Sequence, residues 1–101
     1  MKIEIIAKAL KELGHPIRLR VYKQIMKAGD EGVAVGEICE SIDIPNSTLS
    51  HHISSLVAGG LIFQHREGRT LYCRANYAMR ENVIGFLVDE CCKAQSADDL
   101  V

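Results

Sequence analysis

Residues 35–60 read VGEICESIDIPNSTLSHHISSLVAGG, and the spacing of their apolar positions decides the fold. Val35, Ile38, Cys39 and Ile42 stand at i, i+3, i+4 and i+7, which is one face of a helix. That predicts a short helix running through Glu37 to Ser41. It stops before Pro45, because a proline ring pushes the preceding residue away from helical geometry. Leu49, Ile53, Leu56 and Val57 then outline a second buried face, with Asn46 or Ser47 as the N-cap and Gly59-Gly60 as the end. Two short helices joined by a few turn residues make a helix-turn-helix.

Downstream the pattern changes period. Leu61-Ile62-Phe63-Gln64-His65 and Thr70-Leu71-Tyr72-Cys73-Arg74 are two β-rich runs on either side of Arg66-Glu67-Gly68-Arg69, which reads as a hairpin. A hairpin placed directly after a helix-turn-helix is a wing. Upstream, Ile3, Ile6, Leu10 and Leu13 form a helical stripe that Gly14 can close. Pro16 suits the first turn of the next helix, whose Ile17, Val21 and Ile25 share a face and which ends near Gly29. Gly29-Asp30-Glu31-Gly32 reads as a turn, and Val33-Ala34-Val35 as a very short strand. A last helix runs from about Tyr77 to Cys92. The expected fold is mainly α with a small β-hairpin wing, a winged helix-turn-helix.

Composition fits this reading. With 101 residues, 48% hydrophobic and 25% charged, the chain is a globular mixture of one-domain size. Residues 1–92 are expected to form the DNA-binding and dimerisation domain, and 93–101 a flexible acidic tail. No apolar run approaches the roughly 18 residues of a membrane span, and charges at Lys2, Glu4, Lys8, Lys11 and Glu12 suit no signal peptide. The cytoplasm is the expected compartment, and the four cysteines are expected to be reduced thiols. A net charge of −1 is unusual for a nucleic-acid binder, but it is unevenly distributed. Residues 1–44 balance, residues 45–80 hold four Arg against one Glu, and residues 81–101 hold one Lys against five acids. The basic middle also carries His51, His52 and His65, and it can face phosphate while the acidic end faces elsewhere.

The helix after Pro45 shows what the middle segment displays. Opposite Leu49, Ile53 and Leu56 lie Ser47, Thr48, His51, Ser54 and Ser55, with Ser50 and His52 on the flanks. No acid is among them. Short hydroxyl and imidazole side chains let a helix enter a groove, donate to phosphate oxygens and reach base edges. Arg66 and Arg69 at the hairpin tip can track phosphates or enter a minor groove.

These residues together resemble a known family. Ala9-Leu10-Lys11-Glu12-Leu13-Gly14-His15-Pro16-Ile17-Arg18-Leu19, Ser47 to Leu56 with its Ser50-His51-His52, Gly59-Gly60-Leu61-Ile62 and Arg66-Glu67-Gly68-Arg69 are similar, in this order, to ArsR/SmtB winged-helix repressors. The resemblance implies a homodimer on an inverted-repeat operator, released when a metal or metalloid binds thiol or imidazole ligands. It places Ser50 and His52 at the DNA side, and makes Arg18 a structural or phosphate-side residue. DNA binding itself would require no cofactor.

The ligand positions depart from the common patterns. The Cys-x-Cys pair and further Cys of many arsenic-responsive members fall here on Ala34, Gly36 and Cys39, and the last helix has no His to support a zinc site. Asp89-Glu90-Cys91-Cys92 instead resembles an arsenic-responsive subgroup with adjacent cysteines at the end of the last helix. Adjacent residues differ by about 100° around a helix, so both can meet one ion only where the helix ends. Soft thiolates select thiophilic ions, which makes Cys91 and Cys92 candidate ligands for a trivalent arsenical. A third ligand would come from Cys39 or Cys73, from a partner subunit, or from a carbon already on the arsenic. Against this, Cys91 can simply continue an apolar stripe, and Cys39 and Cys73 read better as buried thiols.

The last helix carries two stripes, Met79-Val83-Phe86 and Ile84-Leu87-Val88-Cys91, and a helix covering one core needs only one. Ile84, Leu87 and Val88 are therefore expected to meet a second subunit, together with Ile3 and Ile6 of the first helix. An enzyme is not expected, since the sequence shows neither a Gly-rich phosphate loop nor a Ser/His/Asp arrangement in strand context. Two alternatives remain open: the same regulator working as a thiol redox switch or with no small effector, and a winged-helix module that binds protein.

Overall fold

The computed structural model describes residues 3–89. In chain order its elements are α1 (Ile3–Leu13), α2 (Pro16–Lys27), a 3-10 turn (Gly29–Glu31), β1 (Val33–Ala34), α3 (Val35–Ile42), α4 (Asn46–Ala58), β2 (Ile62–Glu67), β3 (Thr70–Ala75) and α5 (Tyr77–Val88). Pro16 opens α2 as its N–H-less ring favours. His15 before it is extended at φ −138° and ψ 128°, and its Nδ1 accepts the Ile17 N–H at 3.2 Å, so the imidazole caps the helix.

The helix-turn-helix is α3 and α4. α3 extends past both expected ends and stops at Asp43, which is left-handed at φ 60° and ψ 55° and donates its N–H to the Cys39 carbonyl at 3.0 Å. Asp is among the few residues other than Gly that adopt this region readily. The start of α4 corrects the sequence reading, because neither Asn46 nor Ser47 caps it. Pro45 holds the cap position at φ −58° and ψ 146°, its carbonyl accepting the Leu49 N–H at 3.0 Å, and Asn46 is already helical. Proline supplies the extended-to-helical change without a side-chain bond. The first amides of α4 consequently have no acceptor within the helix.

Leu49, Ile53 and Leu56 of α4 join Ile6 and Ala9 of α1, Val21 and Ile25 of α2, Ile38 of α3, and Ile62, Cys73 and Ala75 of the sheet in one buried cluster. Each large aliphatic side chain so buried contributes about 1.5–3 kcal/mol. The inner stripe of α1 is Ile6, Ala9 and Glu12, while Ile3 and Leu10 are exposed. Ile6 is 1% exposed within its own protomer, which overturns its expected place in a dimer surface: its side chain is already spent on the core.

The sheet runs β1-β3-β2, all antiparallel. β1 pairs Val33 with Cys73 and Ala34 with Tyr72; β2 pairs with β3 from Ile62↔Ala75 to Glu67↔Thr70. Gly68-Arg69 is thus a two-residue connection, with Gly68 at φ 61°, as a type II′ turn demands of its first central residue. Gly32 is equally constrained, since a Cβ there would sit 2.7 Å from the Cys73 carbonyl oxygen.

Asn76 caps α5 by accepting the Met79 N–H at 3.2 Å, and the Tyr77 hydroxyl donates to the Met26 carbonyl at 2.8 Å. Val83 of α5 is buried and Met79 packs against the core, but Phe86 is 39% exposed and so leaves the inner stripe to them. Ile84, Leu87 and Val88 are about half exposed or more. The helix expected to reach Cys92 ends instead at Val88, with Asp89 non-helical at φ −59° and ψ 130°, where an acid opposes the helix dipole; Cys91, Cys92 and the tail 93–101 lie outside the described residues. Among the described residues no helix is long and apolar enough to cross a membrane.

Candidate nucleic-acid interface

α4 presents Ser47, Thr48, Ser50, His51 and Ser54 to solvent and half-buries Ser55. Its first turn carries no acid, and its unpaired amides point the positive end of the helix dipole outward. Beside it, Ser50 and Ser54 share with Val35, Ile53, Gln64 and Leu71 a notch of about 140 Å³ between α4 and the wing. At the wing tip Arg66 and Arg69 are exposed and take part in no ion pair among the described residues. Farther along the strands His65 stacks on Tyr72 at 5.4 Å, and the Arg74 guanidinium lies 5.0 Å above the Phe63 ring. The sequence reading missed both pairs. Their signal is the antiparallel register, which sets 65 opposite 72 and 63 opposite 74.

His52 is corrected. Positions 49, 52, 53 and 56 form the inward stripe of α4, and His52 is 6% exposed. It is not free to contact DNA as Ser50 and His51 are. Its Nδ1 accepts a hydrogen bond from Arg18 Nε at 3.1 Å, and the His15 and His51 rings lie 4.7 and 6.0 Å from it. Arg18 Nη1 donates in turn to Glu12 Oε1 at 2.8 Å, and Lys8 Nζ meets Glu12 Oε2 at 2.9 Å. The row Lys8–Glu12–Arg18–His52 thus runs from α1 through α2 into α4. The Glu12 stem also lies against Gly59, where a Cβ would come within 3.1 Å of Glu12 Cγ.

The row favours the carboxylate form of Glu12 and the neutral ring of His52. The hydrogen bond from Lys8 does most to lower the Glu12 pKa, helped by the charges of Lys8 and Arg18 against the opposing effect of desolvation. Burial lowers the His52 pKa, with the neighbouring His15, Arg18 and His51 acting the same way. A neutral His52 with Nδ1 as acceptor is what Arg18 requires.

Residues 13–64, which span α2 through the first residues of the wing, match a family model described as a helix-turn-helix domain. The chain belongs to this helix-turn-helix family. Transcriptional repressor PagR of Bacillus anthracis is 29% identical to it over 87 residues, covering 86% of this chain and 85% of that protein. Nodulation protein NolR of Rhizobium meliloti is 30% identical over 86 residues, covering 85% of this chain and 68% of that one. The solution structure of a homodimeric winged helix-turn-helix DNA-binding domain from Mycobacterium bovis, described as a possible ArsR-family transcriptional regulator, shares the fold. Its TM-score is 0.70, over 88% of this chain and 82% of its own, at 24% identity. The chain is a winged helix-turn-helix protein, and its likeness to the Mycobacterium bovis domain is one of fold.

In this helix-turn-helix protein the described cysteines are part of the packing. Cys39 Sγ donates to the Ile44 carbonyl at 3.3 Å and helps close the turn between α3 and α4. Cys73 is fully buried on β3, where burial pushes its thiol pKa up and away from the thiolate that a metalloid needs. Among the described residues no group of three or more His, Cys, Asp or Glu is placed to hold a metal ion.

Proposed function

We propose that the chain is a homodimeric transcriptional repressor that binds an inverted-repeat operator in double-stranded DNA and leaves it when a trivalent arsenical binds Cys91 and Cys92. The observation that carries the DNA-binding part is the acid-free, exposed face of α4 beside an arginine-tipped wing. Ser47, Thr48, Ser50, His51, Ser54 and Ser55 form the base-reading and phosphate-contacting set, with Arg66 and Arg69 on the flanking backbone. The uncapped start of α4 adds backbone donors for a phosphate.

The dimer reading is supported by Ile3, Ile84, Leu87 and Val88, which expose 61, 49, 59 and 57% of their surfaces on α1 and α5, two helices that pack together. Aliphatic side chains so exposed on adjoining helices suit a second copy of the chain. The Mycobacterium bovis domain, described as homodimeric, supports a dimer. For the effector, α5 ends at Val88, only a few residues before Cys91 in sequence, so two thiols follow directly on the proposed seam. Cys39 or Cys73 would have to leave the packing just described to serve as third ligand. A methylated arsenical, with one valence already filled by carbon, needs only the pair.

The test is dissociation of the homodimer from its own promoter DNA in the presence of arsenite, an organoarsenical, Zn, Cd or an oxidant. Release by trivalent arsenicals alone is the expected result. Release by oxidant alone would replace this effector with a thiol redox switch, and absence of salt-dependent duplex binding would refute the DNA-binding function.

A further inference from the structure

We propose that Glu12 and Arg18 are positioning residues of the DNA interface, which act through His52 to fix the rotation of α4 and tie it to α1. The inference rests on the DNA-binding reading above. Arg18 is a cation beside a recognition helix, and its simplest use would be a phosphate contact. Its placement argues otherwise. The side chain is 15% exposed, its Nε is committed to His52 and its Nη1 to Glu12. Its charge is neutralised by a carboxylate whose side chain is 10% exposed. A buried pair of this kind is costly to break from one side, because the remaining charge keeps its desolvation without its partner.

His52 is where the row meets DNA recognition. It stands on α4 one residue after the exposed His51 and one turn from Thr48 and Ser55. A small rotation of α4 that broke the 3.1 Å bond would swing those side chains around the helix axis. The anchor at the other end is α1, where Glu12 lies on the same helix as Ile3 of the proposed dimer seam. A shift of α1 between subunits therefore has a direct polar connection to the DNA-reading face. The bond has a charge requirement as well. Protonating Nδ1 would turn the acceptor toward Arg18 into a second donor and set two cations side by side. Of the charged or titratable groups facing the ring, Arg18 and His15 belong to α2 and its cap and His51 to α4; Glu12 of α1 reaches it only through Arg18.

The experiment measures operator affinity of the full chain against salt and against pH for the parent, Glu12→Gln, Arg18→Met, His52→Leu and His52→Gln, with circular dichroism and sedimentation as checks of folding and assembly. Glu12→Gln, Arg18→Met and His52→Leu are each expected to weaken binding about five- to tenfold at neutral pH, the loss of one buried polar bond. The slope of affinity with salt should stay at the parent value. The Glu12→Gln/His52→Leu double variant should lose little more than the worse single. His52→Gln, which keeps an acceptor and cannot protonate, should bind better than His52→Leu and lack the parent's weakening in acid. A salt slope lowered by about 0.9 in Arg18→Met would make Arg18 a phosphate contact and overturn the proposal. Parent-like affinity of Glu12→Gln, additive losses in the double variant, or an acid response retained by His52→Gln would overturn it too. Where a variant fails to fold, the pH profiles of the parent and His52→Gln decide. A parent that binds no duplex at any salt concentration would sink the DNA-binding reading and this inference together, whereas the other outcomes bear on the positioning alone.

Discussion

The side-chain amide of Asn76 donates to the Gly60 carbonyl at 2.9 Å while its Oδ1 caps α5, so one residue fixes both the corner where α4 becomes the wing and the start of the last helix. Its own N–H donates to the Leu61 carbonyl at 2.9 Å, a third link at the same corner. Asn76→Ala is expected to destabilise the fold by about 1–2 kcal/mol, from a lost cap and an unpaired carbonyl. Asn76→Asp should recover the cap and not the Gly60 bond, giving an intermediate melting temperature. Equal melting of parent and Asn76→Ala would show the corner to be held by packing alone.

Arg66 and Arg69 should act on all duplexes alike. Replacing both by Ala is expected to weaken binding to operator and random DNA by similar factors, and to lower the salt slope by about 0.9 for each phosphate that is no longer neutralised. His51→Ala and Ser50→Ala should instead change the preferred sequence. Unaltered binding by the double arginine variant would remove the wing from the interface.

Charge placed in the proposed seam should separate the subunits. Ile84→Glu with Val88→Glu sets two carboxylates on the exposed stripe of α5, facing their symmetry mates in a two-fold dimer. Sedimentation should then report monomers, with operator affinity falling in parallel. A native oligomer after this change would locate the seam elsewhere.

Under the proposed induction, release requires Cys91 and Cys92. Cys91→Ser and Cys92→Ser are each expected to leave operator binding intact and to abolish release by a trivalent arsenical, while Cys39→Ser alters neither. Hundredfold weakening of operator binding on loading the pair corresponds to about 2.7 kcal/mol of coupling. Undiminished release from a Cys91/Cys92 double variant would move the site to other ligands.

Acid should loosen the fold through His52. Because burial, with His15, Arg18 and His51 close by, holds its pKa below the ordinary 6.5, the folded protein favours the neutral ring. The resulting stability is complete above pH 6.5 and is lost as pH falls through the lowered folded value. Denaturant midpoints taken from pH 7.5 down to pH 5 should fall more in the parent than in His52→Gln. Parallel curves would exclude His52 as the titrating group.

The elements that rest on periodicity were legible in the chain itself. The 35-38-39-42 and 49-53-56 spacings mark α3 and α4, and the run to Gly68 marks a hairpin, because one buried face or one tight reversal is enough to impose each pattern. Polar residues buried for a partner's sake are of another kind. His52 completes the 49-52-53-56 stripe, yet an imidazole reads as surface until Arg18, 34 residues away in sequence, is known to be beside it. Glu12 likewise lies on the inner side of α1, where its charge is tolerable only because Lys8 and Arg18 meet it. Ile6 and Ile3 share an apolar stripe, and only the angle at which α1 rests on the core assigns one inside and the other outside. Local pattern carries the Lys8–Glu12 pair at i, i+4 but neither the approach of Arg18 nor the seating of α1.

The three-stranded part of the sheet is confined to its root, where β1 lines Val33 and Ala34 beside Cys73 and Tyr72; toward Glu67 and Thr70 only two strands continue. The wing is in effect a cantilever, clamped where it leaves the core and compliant at its tip. In the proposed complex, a tip held by two strands alone would be the part of the wing able to adjust to the groove while the root stays with α4. The same separation lets residues at the tip be exchanged to retune grip on flanking DNA without rewriting the sequence that α4 reads.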